Sequence, residues 1–194
     1  MTRGAHPIEV ESYRRLREAV NLSALPPLSR AVAERIIHAS ADVDYARDLV
    51  LDEEALRGGR AALRAGAPVV ADTRMVVAGI TGVPVRCGLD SAPPVGGETR
   101  SAAGIRHAAA RVGPGAVYVI GCAPTAVVAL LDLDADPALV IGLPVGFVGA
   151  SEAKQALRDS GLPVLTNRGP KGGAAVAAAA LNALRRFDGI QHSG

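Results

Sequence analysis

Apolar residues follow two rhythms along this chain. Some stretches repeat their apolar positions every three or four residues, and others are apolar throughout but short. The first pattern predicts helices over 8–20, about 30–38, 43–50, 52–66 ("DEEALRGGRAALRAG"), 99–112 ("TRSAAGIRHAAARV"), 126–133, 151–157 and 171–187. The second predicts strands in "APVVAD" (67–72), "VPVRCGL" (83–89), "GAVYVIG" (115–121), the front of "ALVIGLPVGF" (138–147) and "LPVLTN" (162–167). Pro26 and Pro27 interrupt the chain before the second helix, with Ser29 its expected N-cap and Asp42 the expected cap of the third. The loop "APPVGGE" (92–98) gives way to a helix opened by Thr99 or Glu98.

Five strands without polar alternation, separated by helices, predict an α/β fold with a parallel sheet covered on both faces. No repeat or linker divides the chain, so one domain over residues 1–194 is expected. Ligands of such sheets bind beyond the carboxyl ends of the strands. Those ends carry Asp72, then 121–125, 142–149 and 166–169.

Composition narrows the chemistry. Hydrophobic residues make up 49% and charged residues 21%, with a net charge of only +2, which gives no reason to expect nucleic acid or a membrane as partner. Aromatics are 3% with no Trp, so base-stacking platforms are not expected either. Cys87 and Cys122 lack metal or redox spacing, no apolar leader opens the chain, and no run is long enough to span a bilayer, which together predict a cytoplasmic protein. Of 21 basic residues only Lys154 and Lys171 are lysine, and arginine suits an anionic ligand. No GxGxxG follows a strand and no GxxxxGK[ST] occurs, so a nucleotide cofactor is not expected. "RGPKGGAAV" (168–176) opens a helix and reads either as an anion cradle or as a tight strand-to-helix turn. His6 and His107 read as surface residues and His192 as part of a frayed tail; no cluster has metal-ligand spacing.

Six stretches in order, "RIIHASADVDYARDLV", "ALRAGAPVVADTRMVVAGIT", "GETRSAAGIRHAA", "VIGCAPTAVVALL", "GLPVGFVGASEAKQAL" and "GPKGGAAVAAAALNAL", give the chain a resemblance to the precorrin-8x methylmutase family of cobalamin biosynthesis. The resemblance runs from about Ile8 to Leu184; "LPVGFVGASEAK" and "GETRSAA" are its most specific parts. It implies a three-layer α/β/α fold with a five-stranded, mostly parallel sheet. It also implies a homodimer with its active site near the subunit interface, and a tetrapyrrole substrate whose methyl group moves from C-11 to C-12 without any cofactor. The family's catalytic histidine falls on His38 in "IHA". From the residues alone, a histidine behind two isoleucines is a packed structural residue. The resemblance makes it a proton donor, favoured by the carboxyl end of its helix and by Glu34 if that side chain faces the same way. Ser12 matches a substrate-contacting serine, and Arg100 at a helix start is a candidate carboxylate clamp. Asp72, Thr81, Ser101 and Thr125 complete the expected substrate contacts. Cys122 stands where the family commonly has Asn, which removes a polar contact from the turn "GCAPTA".

Two functions of different class fit these residues. One is the isomerase; the other is a corrinoid carrier, which needs carboxylate clamps but no proton donor. An unrelated nucleotide-binding domain would need the missing phosphate fingerprints.

Overall fold

The computed structural model describes residues 6–90 and 96–187. Most of the expected loop over 92–98, and His192, lie outside the described residues. The chain runs α1 (Pro7–Ala19), α2 (Pro27–Ser40), α3 (Tyr45–Asp48), β1 (Leu49–Leu51), α4 (Glu53–Arg64), β2 (Val69–Ala71), α5 (Arg74–Gly79), β3 (Val85–Cys87), α6 (Arg100–Val112), β4 (Val117–Ile120), α7 (Pro124–Leu131), β5 (Leu139–Gly142), α8 (Ala150–Asp159), β6 (Val164–Asn167) and α9 (Ala174–Arg186), with a 3₁₀ turn at Gly88–Asp90.

The sheet has the order β1-β6-β5-β4-β2-β3 and is parallel except for β1. Its two faces divide by residue parity, as a pleat requires. Val69, Ala71, Val117, Val119, Leu139 and Ile141 meet α2, α4, α5 and α9. Val70, Tyr118, Ile120 and Val140 meet α6, α7 and α8. All ten of these strand residues are buried, which explains why the strands read as apolar runs.

Six strands rather than five form the sheet. The expected helix over 43–50 makes a single turn, and Leu49–Leu51 instead pair antiparallel with Leu165–Asn167. Helix nucleation is costly and one turn gains little, whereas pairing satisfies the outer hydrogen-bonding edge of β6. A three-residue strand is too short to show a period of two. Helix α5, in "RMVVAG", is likewise too short to show a helical period.

Ser29 is not the N-cap of α2. The helix begins at Pro27, where the missing amide costs nothing, and Ser29 lies inside its first turn. The capping group comes from α4: the Glu53 carboxylate accepts from the Leu28 amide (3.2 Å), the Ser29 amide (2.8 Å) and the Ser29 hydroxyl (2.7 Å). Asp52, one residue earlier, caps α4 itself through the Glu54 and Ala55 amides. On the opposite layer, α6 comes so close to the turn after β3 that a Cβ on Gly104 would stand 2.4 Å from the Gly88 carbonyl oxygen. Only glycine fits there, and this contact sets how far the start of α6 stands from the sheet.

Burial works against the charge on Glu53, but its three hydrogen bonds outweigh that and hold its pKa below the usual carboxylate value. A depressed folded-state pKa contributes stability above the unfolded value of about 4.5, and that stability drains away as the pH falls through the lowered one. Glu53→Gln should therefore lose about 1–2 kcal/mol at pH 7. In urea titrations at pH 7 and pH 4, the gap between variant and parent should narrow at the lower pH.

Candidate active site

After β3 the chain returns to the far side of β2, so α5 and α7 leave neighbouring strands β2 and β4 in different layers. A crevice opens there beyond the carboxyl ends of the two strands. Asp72 sits at its floor, wholly buried. Its carboxylate accepts from the amides of Gly121 (3.2 Å), Cys122 (2.8 Å) and Ala123 (2.8 Å). Burial pushes the Asp72 pKa up, against the pull of these amides. Beside it the Thr73 hydroxyl donates to Cys122 Sγ at 3.1 Å, so the cysteine takes part in the turn through its sulfur.

Three helices point their amino ends at this crevice, with Thr73, Thr99 and Ala123 as the residues preceding α5, α6 and α7. Between them lies a cavity of about 480 Å³ lined by Thr73, Arg74, Met75, Arg100, Ser101 and Thr125 among others. The hydroxyls of Thr99 and Thr125 bond across it at 2.7 Å. Arg74 is held by Asp90, and Arg106 by Glu98 and Asp132. Arg100 is exposed and has no ion-pair partner among the described residues. Aligned helix amino ends with a free guanidinium make a site for an anion. A larger groove of about 670 Å³ lies at the other edge of the sheet. Two of its charged side chains are already engaged: Asp52 caps α4, and Arg158 donates to the Asn167 carbonyl.

His38 lies in the last turn of α2, in the negative field of that helix end. It is half-buried. Nδ1 is 3.0 Å from Ser12 Oγ on α1, and the ring lies flat against Tyr13, with centroids 4.7 Å apart and planes 6° from parallel. Nε2 has no partner among the described residues. Glu34 does not face His38; it pairs with Arg17 at 2.9 and 3.1 Å. The helix stops because Ala41 turns into the left-handed region (φ 54°). That turn brings Asp42 and Asp44 to Lys171, at 2.8 and 2.7 Å.

Lys171 belongs to the segment between β6 and α9. "RGPKGGAAV" proves to be a packed turn rather than an open cradle: a Cβ on Gly172 would stand 2.2 Å from the Leu143 carbonyl oxygen, and the Gly173 amide donates to the same oxygen. Lys154, buried beneath, donates to Asn167 Oδ1 (2.9 Å) and to the Lys171 carbonyl (2.5 Å); burial pulls its pKa down to about 8.

The structure thus gathers Asp72, Arg100, Ser101 and Thr125 at the crevice, and Ser12 with His38 at the end of α2. Thr81 belongs to neither group. It is tied to Asn182 and Arg186 near the end of α9, roughly 13 Å along that helix from Gly173 at the carboxyl edge. α2 packs on α9; Ala31 and Arg35 share a cavity lining with Asn182 and Arg186, while Asp42 and Asp44 just past α2 pair with Lys171 just ahead of α9, so His38 stands toward the start of α9 and away from Thr81. Tyr13 and Lys171 were missed from the sequence. An aromatic residue following a serine on a helix carries no signal for a ring stack 25 residues downstream.

Fold and site define a doubly wound α/β protein with an anion-receptive crevice and an imidazole at the carboxyl edge of its sheet. The chain belongs to the precorrin-8X methylmutase family, whose profile matches residues 7–187. It is 44% identical to the precorrin-8X methylmutase of Pseudomonas aeruginosa, over 94% of this chain and 95% of that one. Identity to the cobalt-precorrin-8 methylmutase of Methanothermobacter thermautotrophicus is 40%, over 90% and 91%. The crystal structure of the precorrin-8x methyl mutase from Thermus thermophilus superposes with a TM-score of 0.84 at 36% identity, covering 93% of this chain and 96% of that one.

Removing the carboxylate at the crevice floor orphans three amides. Asp72→Ala should cost at least about 2 kcal/mol in urea unfolding, and Asp72→Asn, which keeps one acceptor oxygen, should cost less. Equal stability in the three proteins would show that the turn holds without the carboxylate.

Proposed function

We propose that this chain is a single-domain isomerase of the cytoplasm that moves a methyl group from C-11 to C-12 of precorrin-8x, or of its cobalt-containing counterpart. The product is hydrogenobyrinic acid or the matching cobyrinate. The observation that carries the reading is His38, fixed through Nδ1 by Ser12 while Nε2 is left without a partner at the carboxyl edge. His38 Nε2 gives a proton to a ring nitrogen of the macrocycle. The methyl bond at C-11 breaks as the bond at C-12 forms, the conjugated path relocates, and the proton returns to Nε2. Substrate and product are isomers, so no electron or group is lost and no cofactor takes part. Acetate and propionate arms of the substrate find Arg100, Ser101, Thr125 and the helix amino ends at the crevice. Asp72 supports those contacts by holding the turn. Thr81 makes its contacts with Asn182 and Arg186 instead. The carrier alternative gains no support, because the matched relatives bear enzyme names.

The cytoplasmic placement draws support from Cys87 and Cys122, both free thiols, and none of the described helices is long and apolar enough to cross a membrane. Nucleic acid has no part in this reading. A homodimer does. A cavity of about 480 Å³ suits a carboxylate arm better than a whole tetrapyrrole, so a second surface is needed to enclose the macrocycle. The loop after β5 offers one: Phe147 and Val148 are 102% and 88% exposed, an apolar display that calls for a cover.

Three variants test these readings. His38→Asn should bind the tetrapyrrole nearly as the parent does yet isomerise it about a hundredfold more slowly or worse, as single-turnover absorbance shows. Arg100→Ala should show the reverse split, with weaker binding and a rate at saturation close to that of the parent; an undiminished rate in His38→Asn would return the carrier to first place. For assembly, light scattering at micromolar concentration should give a dimer mass for the parent and a monomer for Phe147→Glu. Full activity in a monomeric parent protein would sink the dimer.

A further inference from the structure

Two adjacent residues of α1 grip the imidazole in different ways. Ser12 Oγ meets Nδ1 in the ring plane, and Tyr13 covers one face of the ring at 4.7 Å with planes 6° apart. A hydrogen bond to one ring atom fixes a point but leaves the plane free to swing about it. The flat stack removes that swing, within the usual distance range for ring pairs. Tyr13 is itself held: its ring packs on the core of the α1–α2–α9 layer, its hydroxyl accepts from Arg35 at 3.4 Å, and the Arg17 guanidinium carbon stands 5.9 Å from its ring centroid. Arg35 also reaches Glu9, and Arg17 is fixed by Glu34, so each group that braces Tyr13 is paired in turn.

We infer that Tyr13 is a positioning residue, whose ring fixes the plane of His38 so that Nε2 faces the reacting macrocycle. This rests on the reading of His38 as the proton donor. Tyr13 does not donate or accept the proton; its hydroxyl is turned to Arg35. Proton transfer depends on alignment to within a fraction of an ångström, and a loosened donor loses rate without losing substrate. The face of the tyrosine ring, rather than its hydroxyl, carries the effect.

The test uses the full chain with Tyr13→Phe, Tyr13→Leu and each of these combined with His38→Asn. Tyr13→Phe keeps the stack and should turn over within about twofold of the parent. Tyr13→Leu should lose roughly ten- to a hundredfold in kcat, with KM changed less than about twofold. Added to His38→Asn, Tyr13→Leu should change the rate no further, because the group it positions is gone. Tyr13→Met, flexible but of similar bulk against the core, takes the place of Tyr13→Leu if that variant does not fold. A loss confined to KM, a Phe variant as slow as the Leu variant, or an additive loss in the double variant overturns the inference. Full rate in Tyr13→Leu beside a slow His38→Asn overturns it alone; full rate in His38→Asn overturns the proton-donor reading and this inference with it.

Discussion

The crevice depends on a carboxylate that never meets water. Beyond Ile120 the central strands part, and the amides of residues 121–123 have no ladder to join. Asp72 ends β2 with an amide still bonded to the Val119 carbonyl (3.3 Å), and its side chain then takes all three orphaned donors. An apolar residue at this position would leave those donors buried and unmet, a cost of about 1–3 kcal/mol apiece. The cost of burying the charge shows in the raised pKa. What results is a fixed origin for α5 and α7, and so a fixed direction for the helix ends that face the crevice.

His38 lives under the opposite field. It stands at the carboxyl end of α2, whereas the crevice gathers the amino ends of α5, α6 and α7. The fold thereby separates two fields, positive helix ends at the crevice and a negative one at the imidazole; in the proposed reaction the first would receive the negative arms and the second would favour a protonated ring. The separation needs α2 to stop where it does. Ala41 takes up a left-handed conformation that costs about 1–2 kcal/mol, and Lys171 clamps the following loop through Asp42 and Asp44.

Much of this was legible beforehand, for physical reasons that also mark its limits. Central parallel strands are buried on both faces, so Val69–Ala71, Val117–Ile120, Leu139–Gly142 and Val164–Asn167 stood out as apolar runs. Edge strand β1 and helix α5 did not: Leu49 and Val50 continue the helical spacing that begins at 43, and six residues cannot display a helical period. His38 is singled out by family motifs; behind two isoleucines, the residues alone read as a packed structural histidine. The cap supplied to α2 by Glu53, 24 residues away, and the stack of Tyr13 on His38 are tertiary contacts, which local spacing does not encode. Thr81, expected among the substrate contacts, follows α5 and hydrogen-bonds Asn182 toward the end of α9, a long-range contact that local spacing does not show.

Arginine richness looked like a binding signal, and the structure sorts it. Arg14, Arg17, Arg35, Arg47, Arg57, Arg74 and Arg106 all lie against carboxylates, and Arg158 against a carbonyl. Such exposed pairs contribute little to stability and mostly keep the surface neutral and soluble. Arg64, Arg86, Arg111 and Arg168 also lack a carboxylate partner among the described residues, but of these unpaired arginines it is Arg100 that lines the crevice. It occupies the first position of α6, where a cation is repelled by the positive end of the helix by about 0.3–1 kcal/mol. No carboxylate among the described residues offsets that repulsion. A negative group entering the crevice would reverse its sign, because the same helix end and the same guanidinium then attract one ligand together. In the proposed reading, the unfavourable placement of Arg100 in the free protein is therefore the physical counterpart of an affinity for carboxylate.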